Sequence, residues 1–349
     1  MKSFRTEIED PIVAQDIIDL EKKIHAFNND SMDGEKFRSL RLARGVYGQR
    51  QQGVQMIRIK LPMGRFTAKQ LRRMAEVTDT YSNGNLHITT RQDIQLHHVS
   101  LESTPELWAA LEKDQITLRE ACGNTVRNVT ASIWAGIDPE EAFDVTPYAR
   151  SFFEYFLRNP LCQDLGRKIK VAFSSASNDQ TMTFVHDLGF IPVLQNNERG
   201  FKVVLGGGIG AQPEAAHEVY SFLEANQLIP FSEAVIRVFE KYGERNRRNK
   251  ARMKFLIKEM GIELFLKKVE EARVNFENSP TISVKKRNLN FSKKTHPKYS
   301  ISTDNDYSMW LKTNTFSQKQ LNYKAVGIPI PTGDLNSEIA RQLATIIET

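Results

Sequence analysis

The sequence predicts an α+β protein: a split βαβ sandwich with one layer of helix on an antiparallel sheet, then a larger α/β lobe, then the beginning of a second sandwich. Three observations carry this prediction. Between residues 54 and 114 the hydrophobic pattern runs strand, helix, strand, strand, helix. Beyond Gly123 it changes to longer helical stretches around short apolar strands. Near the carboxyl end the first motif recurs, with Val326 to Pro331 and Gly333 before a helix over 335–347 echoing Val54 to Pro62 and Gly64 before a helix over 68–80.

Taken in order, residues 11–28 place Ile12, Val13, Ile17, Ile18, Leu20, Ile24 and Phe27 at helical spacing and stop at Asn28-Asn29-Asp30, which makes residues 1–44 a helical packing arm. Residues 54–61 read as a strand, 67–80 as a helix, 86–98 as two strands joined tightly around Arg91-Gln92-Asp93, and 104–114 as a helix. These complete a first domain over 45–120. A second α/β domain over 121–278 follows, with helices centred on 146–157, 213–226 and 231–274 around strands at 168–173, 190–194 and 201–205. Residues 279–322 form a basic linker, rich in Lys, Ser and Asn between 278 and 299. The repeat over 323–349 stops after its first helix, which leaves a strand–helix unit unpaired and implies that the natural polypeptide continues past Thr349 or that a second chain completes it.

With 349 residues, of which 40% are hydrophobic, the chain can bury two ordinary cores. It shows neither a bilayer-spanning apolar run nor the apolar core of a signal peptide, so the expected address is the cytoplasm. Cys122 and Cys162 stand far apart and cannot form a disulfide framework or a four-cysteine metal site; small buried thiols are the simpler reading. A net charge of +6 favours anionic partners. Nucleic acid is not expected, because the strands over 54–60 and 86–98 carry no Phe, Tyr or Trp on which a base could stack.

Basic residues recur at strand spacing: Arg58 and Lys60 on one strand, Lys168 and Lys170 on another. Residues two apart share a strand face, and like charges held together are costly unless an anion sits between them. Either pair alone is explained by a solvated sheet face. With Arg91 and Arg127, each in a short polar string beside apolar runs, the pairs point instead to an anion site in which Arg forks grip carboxylates and Lys acts as a compact charge or proton donor. Gly206-Gly207-Gly208-Ile209-Gly210, after the strand over 201–205 and before the helix expected near Pro213, is a loop whose N–H groups could approach an anion closely. It is not in register for a dinucleotide fingerprint. A histidine haem ligand at His97 or His98 is a weaker reading, since adjacent strand residues face opposite sides.

The strings LHITTRQDIQLH (86–97), GNTVRN (123–128), GRKIK (166–170) and LGGG (205–208) resemble, in order and spacing, the sirohaem-binding half of the sulfite and nitrite reductase family, and the resemblance runs from about Gly45 to the end. It implies that the split sandwich is ferredoxin-like. It further implies that Arg58, Arg127, Lys168 and Lys170 hold the substrate anion, and that Thr89, Thr90, Arg91, Gln95 and His97, with Asn128, Arg167 and the loop Gly206, Gly207 and Gly208, contact sirohaem, an iron tetrapyrrole bearing eight carboxylates. The implied reaction is the six-electron reduction of sulfite to sulfide, with a 4Fe-4S cluster relaying electrons from ferredoxin or a flavoprotein subunit. A lysine at position 170, where the family's nitrite reductases tend to carry asparagine, favours sulfite over nitrite. His87 stands where the family often has arginine. The four cluster cysteines are absent from this sequence, so the resemblance implies a chain that does not turn over without a missing carboxyl-terminal half; a non-catalytic sirohaem-binding protein would need the same cations and no cluster.

Overall fold

The computed structural model describes residues 8–273 and 305–348. The Lys, Ser and Asn-rich segment expected as a surface connection lies outside the described residues.

Helix α1 (Pro11–Asn28) begins where Asp10 accepts from the Ile12 N–H at 2.8 Å, with proline in the first turn. It buries Val13, Ile17, Leu20 and Ile24, one stripe of a helical period. A second helix, α2 (Gly34–Leu42), buries only Phe37, which stacks on Phe27 at 4.4 Å. With one apolar anchor it has no periodicity to read, and its only local signal is the Asp33 N-cap.

The first core lies under a five-stranded sheet. Its strands β1 (Val46–Gly48), β2 (Val54–Ile59), β3 (Asn85–Ile88) and β4 (Ile94–Ser100) are antiparallel in the order β1-β2-β4-β3. Helix α3 (Ala68–Tyr81) starts at a reciprocal capping box between Thr67 and Gln70 and buries Leu71, Met74, Ala75 and Val77. Helix α4 (Thr104–Glu112) adds Leu107, Trp108 and Leu111 to the same core. This is the predicted sandwich.

The second core surrounds a mixed sheet in which β5 (Val126–Ala131), β6 (Ile169–Phe173) and β7 (Leu188–Gln195) run parallel while β8 (Glu198–Leu205) and β9 (His217–Glu224) return antiparallel. Helix α5 (Thr146–Phe156) packs on it, and Phe152, Phe173, Phe190 and Phe201 meet at 4.9–6.1 Å. Two expectations are corrected here. The stretch 213–226 holds strand β9 rather than a helix, because Val219, Tyr220 and Phe222 suit a half-exposed edge and Phe201 and Val203 of β8 offer free pairing partners. The long helix over 231–274 is three pieces, α6 (Leu228–Tyr242), α7 (Met253–Met260) and α8 (Ile262–Arg273), broken after Tyr242 by Gly243 and after Met260 by Gly261 at φ +85°.

The remaining elements are α9 (Asn305–Asn314), the hairpin β10 (Thr315–Ser317) with β11 (Lys324–Val326), then β12 (Asp334–Asn336) and α10 (Ser337–Glu348). The echo is real at the turn: Pro62–Gly64 and Pro331–Gly333 are both tight turns whose middle residue, Met63 or Thr332, has φ +58°. The unit is not unpaired. Leu335 pairs with Leu86, so β12 extends the first sheet beyond β3, and Ala340 and Ala344 let α10 lie against α3. The strand that joins the first sheet follows the second turn instead of preceding it; before that turn, Ile330 packs on the first core outside any strand, and β11 pairs with β10 instead.

Asp16 of α1 ties the arm to both cores, through Arg119 at 3.1 Å and Arg158 at 3.0 Å. Asp16→Ala removes the carboxylate shared by two largely covered guanidinium groups, leaving Arg158 without this partner, and is expected to cost about 1–3 kcal/mol of unfolding free energy, read as a lowered urea midpoint at unchanged slope.

Candidate active site

Pairing register puts Arg58, Gln95, His87 and Asp334 opposite one another on four successive strands, so they form one polar row on one face of the first sheet. On the second sheet Ile169 and Val171 point into the core, which turns Lys168 and Lys170 to the opposite face; Arg127, one residue from buried Val126 on β5, shares that face. Two sheets thus direct cations into one cleft. A cavity of about 500 Å³ is bordered by Arg58, Arg127, Arg167, Lys168, Cys122 and Tyr47. A second, of about 580 Å³, is bordered by Arg58, His87, Thr89, Thr90, Arg91 and Gln95. Arg58 stands between them.

The positive charge is poorly compensated. Among the described residues no carboxylate lies within 4.0 Å of Arg127, Lys168 or Lys170. Burial, and then Arg127 and Lys170, push Lys168 down to about 7; burial, then Arg91 and Arg252, push Lys170 down to about 8. Burial likewise lowers Arg127. The nearby acids do not supply the missing charge. Asp93 is buried and pushed up to about 6 despite Arg58 and Arg91, and Asp187 is gripped by Arg252 at 2.9 and 3.0 Å and by the Lys170 N–H at 2.8 Å.

The expected residues fall into groups. Arg58 donates to the Gln95 amide oxygen at 2.6 and 3.2 Å once that amide is turned to satisfy both groups. Arg127 is aimed by its donation to the carbonyls of Gly123 and Ala121 at 3.0 and 2.7 Å. Thr89 fixes the β3–β4 turn, its hydroxyl accepting from the N–H groups of Arg91 and Asp93 at 3.2 Å, and leaves Thr90 on the cavity wall. Asn128 is buried, and its amide donates to the carbonyls of Leu61, Arg91 and Gln92 at 2.6–3.1 Å, so it joins the two sheets from within. His97 stands edge-on to His87 at 6.0 Å and, like Lys170, borders neither cavity.

Two readings change. Arg91 does not offer a bidentate fork: its terminal nitrogens donate to Asn128 O at 2.6 Å, Thr130 Oγ1 at 3.3 Å and His186 Nε2 at 2.6 Å. The glycine loop does not offer its N–H groups either, since those of Gly206, Gly207 and Gly208 donate to the carbonyls of Asp187, His186 and Glu214 at 2.8–2.9 Å. Nor does a helix follow it. These glycines serve close packing. A Cβ on Gly207 would lie 2.2 Å from the Phe184 carbonyl, backbone that cannot move aside. Gly207→Ala is expected to destabilise the lobe by about 1–3 kcal/mol, seen as a lower thermal midpoint.

Arg248 on the first cavity and Arg252 near Arg91 belong to the basic run from Arg245 to Lys254, whose cations the resemblance allows to reach the cofactor's rim. Arg38 on the first cavity, His186 behind Arg91 and Asp334 at the end of the polar row carry no signal in the sequence.

The residues present do not fit an iron–sulfur cluster. A cubane needs four thiolates, whereas Cys122 and Cys162 are the only cysteines; both are buried, and Cys162 is pushed up to about 12 by burial and Glu120. Among the described residues no group of His, Cys, Asp or Glu could hold a metal ion, and no helix is long and apolar enough to cross a membrane.

Residues 47–114 match the nitrite/sulfite reductase ferredoxin-like half domain, and residues 122–276 match the family described as nitrite and sulphite reductase 4Fe-4S domain. A ferredoxin–nitrite reductase of Leptolyngbya laminosa is 31% identical over 63% of this chain and 44% of its own length. A sulfite reductase [ferredoxin] 1 of Mycolicibacterium paratuberculosis is 29% identical over 70% of this chain and 47% of its own. The chain thus spans about half the length of these relatives. The structure of Mycobacterium tuberculosis NirA superposes with a TM-score of 0.75 at 25% identity, covering 94% of this chain and 62% of that one. With two matched domains in order, the shared fold and the cation-lined cleft between the sheets, the chain belongs to the sirohaem-dependent nitrite and sulfite reductase family.

Proposed function

We propose that the cleft holds sirohaem and, over it, sulfite, as the anion-binding part of an assimilatory sulfite reductase that converts sulfite to sulfide. The observation that carries this reading is the group Arg58, Arg127 and Lys168 on the wall of the first cavity, with the charge of Lys170 close to them on the same side of the second sheet, without enough negative charge to balance it. A polycarboxylate ligand fits such a wall. Arg167, whose Nε has no partner among the described residues, would meet carboxylates on the first cavity, and Arg91, Thr90 and Gln95 would meet them on the second. When bound, sirohaem supplies the iron on which the substrate anion is held and reduced.

The chain's own residues do the remaining work. Arg58 and Arg127 are fixed by their amide and carbonyl partners, so their free N–H groups are positioned before the anion arrives. Each oxygen of sulfite must leave as water, which requires protons and stabilised negative charge. Lys168, held near neutrality, is matched to proton donation at physiological pH, and an arriving anion raises its affinity for the proton. Electrons would come from a ferredoxin-class donor, through cysteines that these residues do not contain.

Sulfite affinity is therefore expected to be full below about pH 7 and to fall as pH rises through the values of Lys168 and then Lys170, by up to about tenfold per unit for each lysine lost. Calorimetric titration between pH 6 and 9 would show it, with proton uptake on binding near pH 8. Two lysines suit the dianion sulfite better than the monoanion nitrite. Sulfite and nitrite titrated against the sirohaem-loaded chain test the choice: sulfite should bind more tightly, and Lys170→Asn should narrow the gap. Tighter nitrite binding by the parent would overturn the sulfite assignment.

A further inference from the structure

Arg91 carries five N–H donors, and four are directed inward. Nη2 donates to Asn128 O at 2.6 Å and lies 3.5 Å from Val171 O; Nη1 donates to Thr130 Oγ1 at 3.3 Å and to His186 Nε2 at 2.6 Å. Among the described residues, Nε–H is the one Arg91 donor without a protein partner. The short contact to His186 can only be a hydrogen bond if Nε2 is an unprotonated acceptor, because an arginine has no lone pair to offer. The other ring nitrogen agrees: Nδ1 sits 3.0 Å from the Met182 carbonyl, which fixes the proton there. Met182 in turn is held left-handed, at φ +53°, as the residue that opens the short turn Thr183–Val185. His186 is buried at 8% exposure, and burial together with Arg91 keeps it far below its usual protonation range.

We infer that His186 is a positioning residue: a neutral imidazole locked in its Nδ1–H form, which turns the Arg91 guanidinium inward so that Nε–H and the positive charge face the second cavity as a single directed donor. The inference rests on the reading of that cavity as the sirohaem site and adds a determinant within it. The backbone acceptors Asn128 O and Val171 O are fixed by strands β5 and β6, and Thr130 Oγ1 is held by its own donation to Val171 O at 3.0 Å. His186 alone among these acceptors depends on its own protonation state, so it decides whether Nη1 is held inward and Nε–H left over.

Two substitutions separate positioning from packing. His186→Gln keeps an acceptor near the Nε2 position, whereas His186→Leu fills the space without one. Sirohaem co-purifying with the chain under elevated sirohaem synthesis should be retained by His186→Gln and reduced on the order of ten- to a hundredfold by His186→Leu, the range seen when a partner behind a ligand is removed, with thermal midpoints showing both variants folded. Equal sirohaem content in parent and His186→Leu would overturn the inference. Nitrogen-15 histidine spectra of the cofactor-free chain give an independent readout: an Nδ1–H tautomer unchanged from pH 8 to pH 5 supports it, and an Nε2–H tautomer or protonation in that range overturns it. A parent without sirohaem would count against the proposed cofactor site, while the spectra still decide the role of His186.

Discussion

Replacing Lys168 and Lys170 together with methionine is expected to stabilise the ligand-free chain at pH 7 while removing its measurable affinity for sulfite. Both lysines sit partly buried among like charges, and both hold their protons less tightly than in the unfolded chain, at about 7 and about 8 against 10.5. The unfolded chain therefore binds more protons between pH 7 and 10.5, so stability of the parent should rise with pH across that window and level off above it. Methionine fills similar space without the charge, which flattens that rise and lifts the starting point. Affinity moves the other way. On the proposed reading, two of the four cations that would hold the anion are gone, a loss of at least about a hundredfold if each charge-assisted contact contributes about 1.5–3 kcal/mol. Thermal unfolding at several pH values, beside a sulfite titration, measures both effects. A double variant less stable than the parent at pH 7 would mean that these lysines are not held against their own charge.

Arg91→Ala should have the largest effect on the structure itself. Its guanidinium joins the β3–β4 turn of the first sheet to β5 and to His186 of the second lobe, and Arg91 is half-buried. Truncation leaves Asn128 O and His186 Nε2 without their donor and opens a void between the two cores. The expected cost is about 3–5 kcal/mol, with a lowered thermal midpoint and loss of bound sirohaem. Arg91→Lys should recover little of either, since an ammonium cannot span three fixed acceptors in one plane. Unfolding that remains within about 1 kcal/mol of the parent would contradict the account of Arg91 as a strut.

What could be read in the sequence depended on whether a residue's role is periodic. Helix α1, the capped helix α3 and strands β2 and β4 announce themselves through apolar stripes at 3.6 or 2 residues, and the cation pair Lys168 and Lys170 at the start of β6 through its spacing of two. Strand β5 was hidden because Arg127, Asn128 and Thr130 make half of it polar, and the polar half is the face that meets the other sheet. Strand β9 was mistaken for a helix because an edge strand needs no strict alternation. The glycine loop shows the limit most plainly. Its composition fits both an anion cradle and a tight packing joint, and only the partners of its three N–H groups separate them. The inward turn of Arg91 and the roles of His186 and Asp334 arise from contacts between residues 95 and 247 positions apart, which no local pattern encodes. Lys60 illustrates the same point: it shares a strand face with Arg58, yet it is buried against the Val126 carbonyl at 3.1 Å and lies outside the cleft.

The measurement that tests the central claim most directly is the visible absorption spectrum of the purified chain, expressed with elevated sirohaem synthesis, beside a folded variant carrying Arg127→Glu and Lys168→Glu. The account predicts sirohaem bands in the parent and their loss in the charge-reversed variant, because the cleft retains its ligand through positive charge that the carboxylates among the described residues do not balance. Bands of equal strength in both proteins, or none in a folded parent, would contradict it.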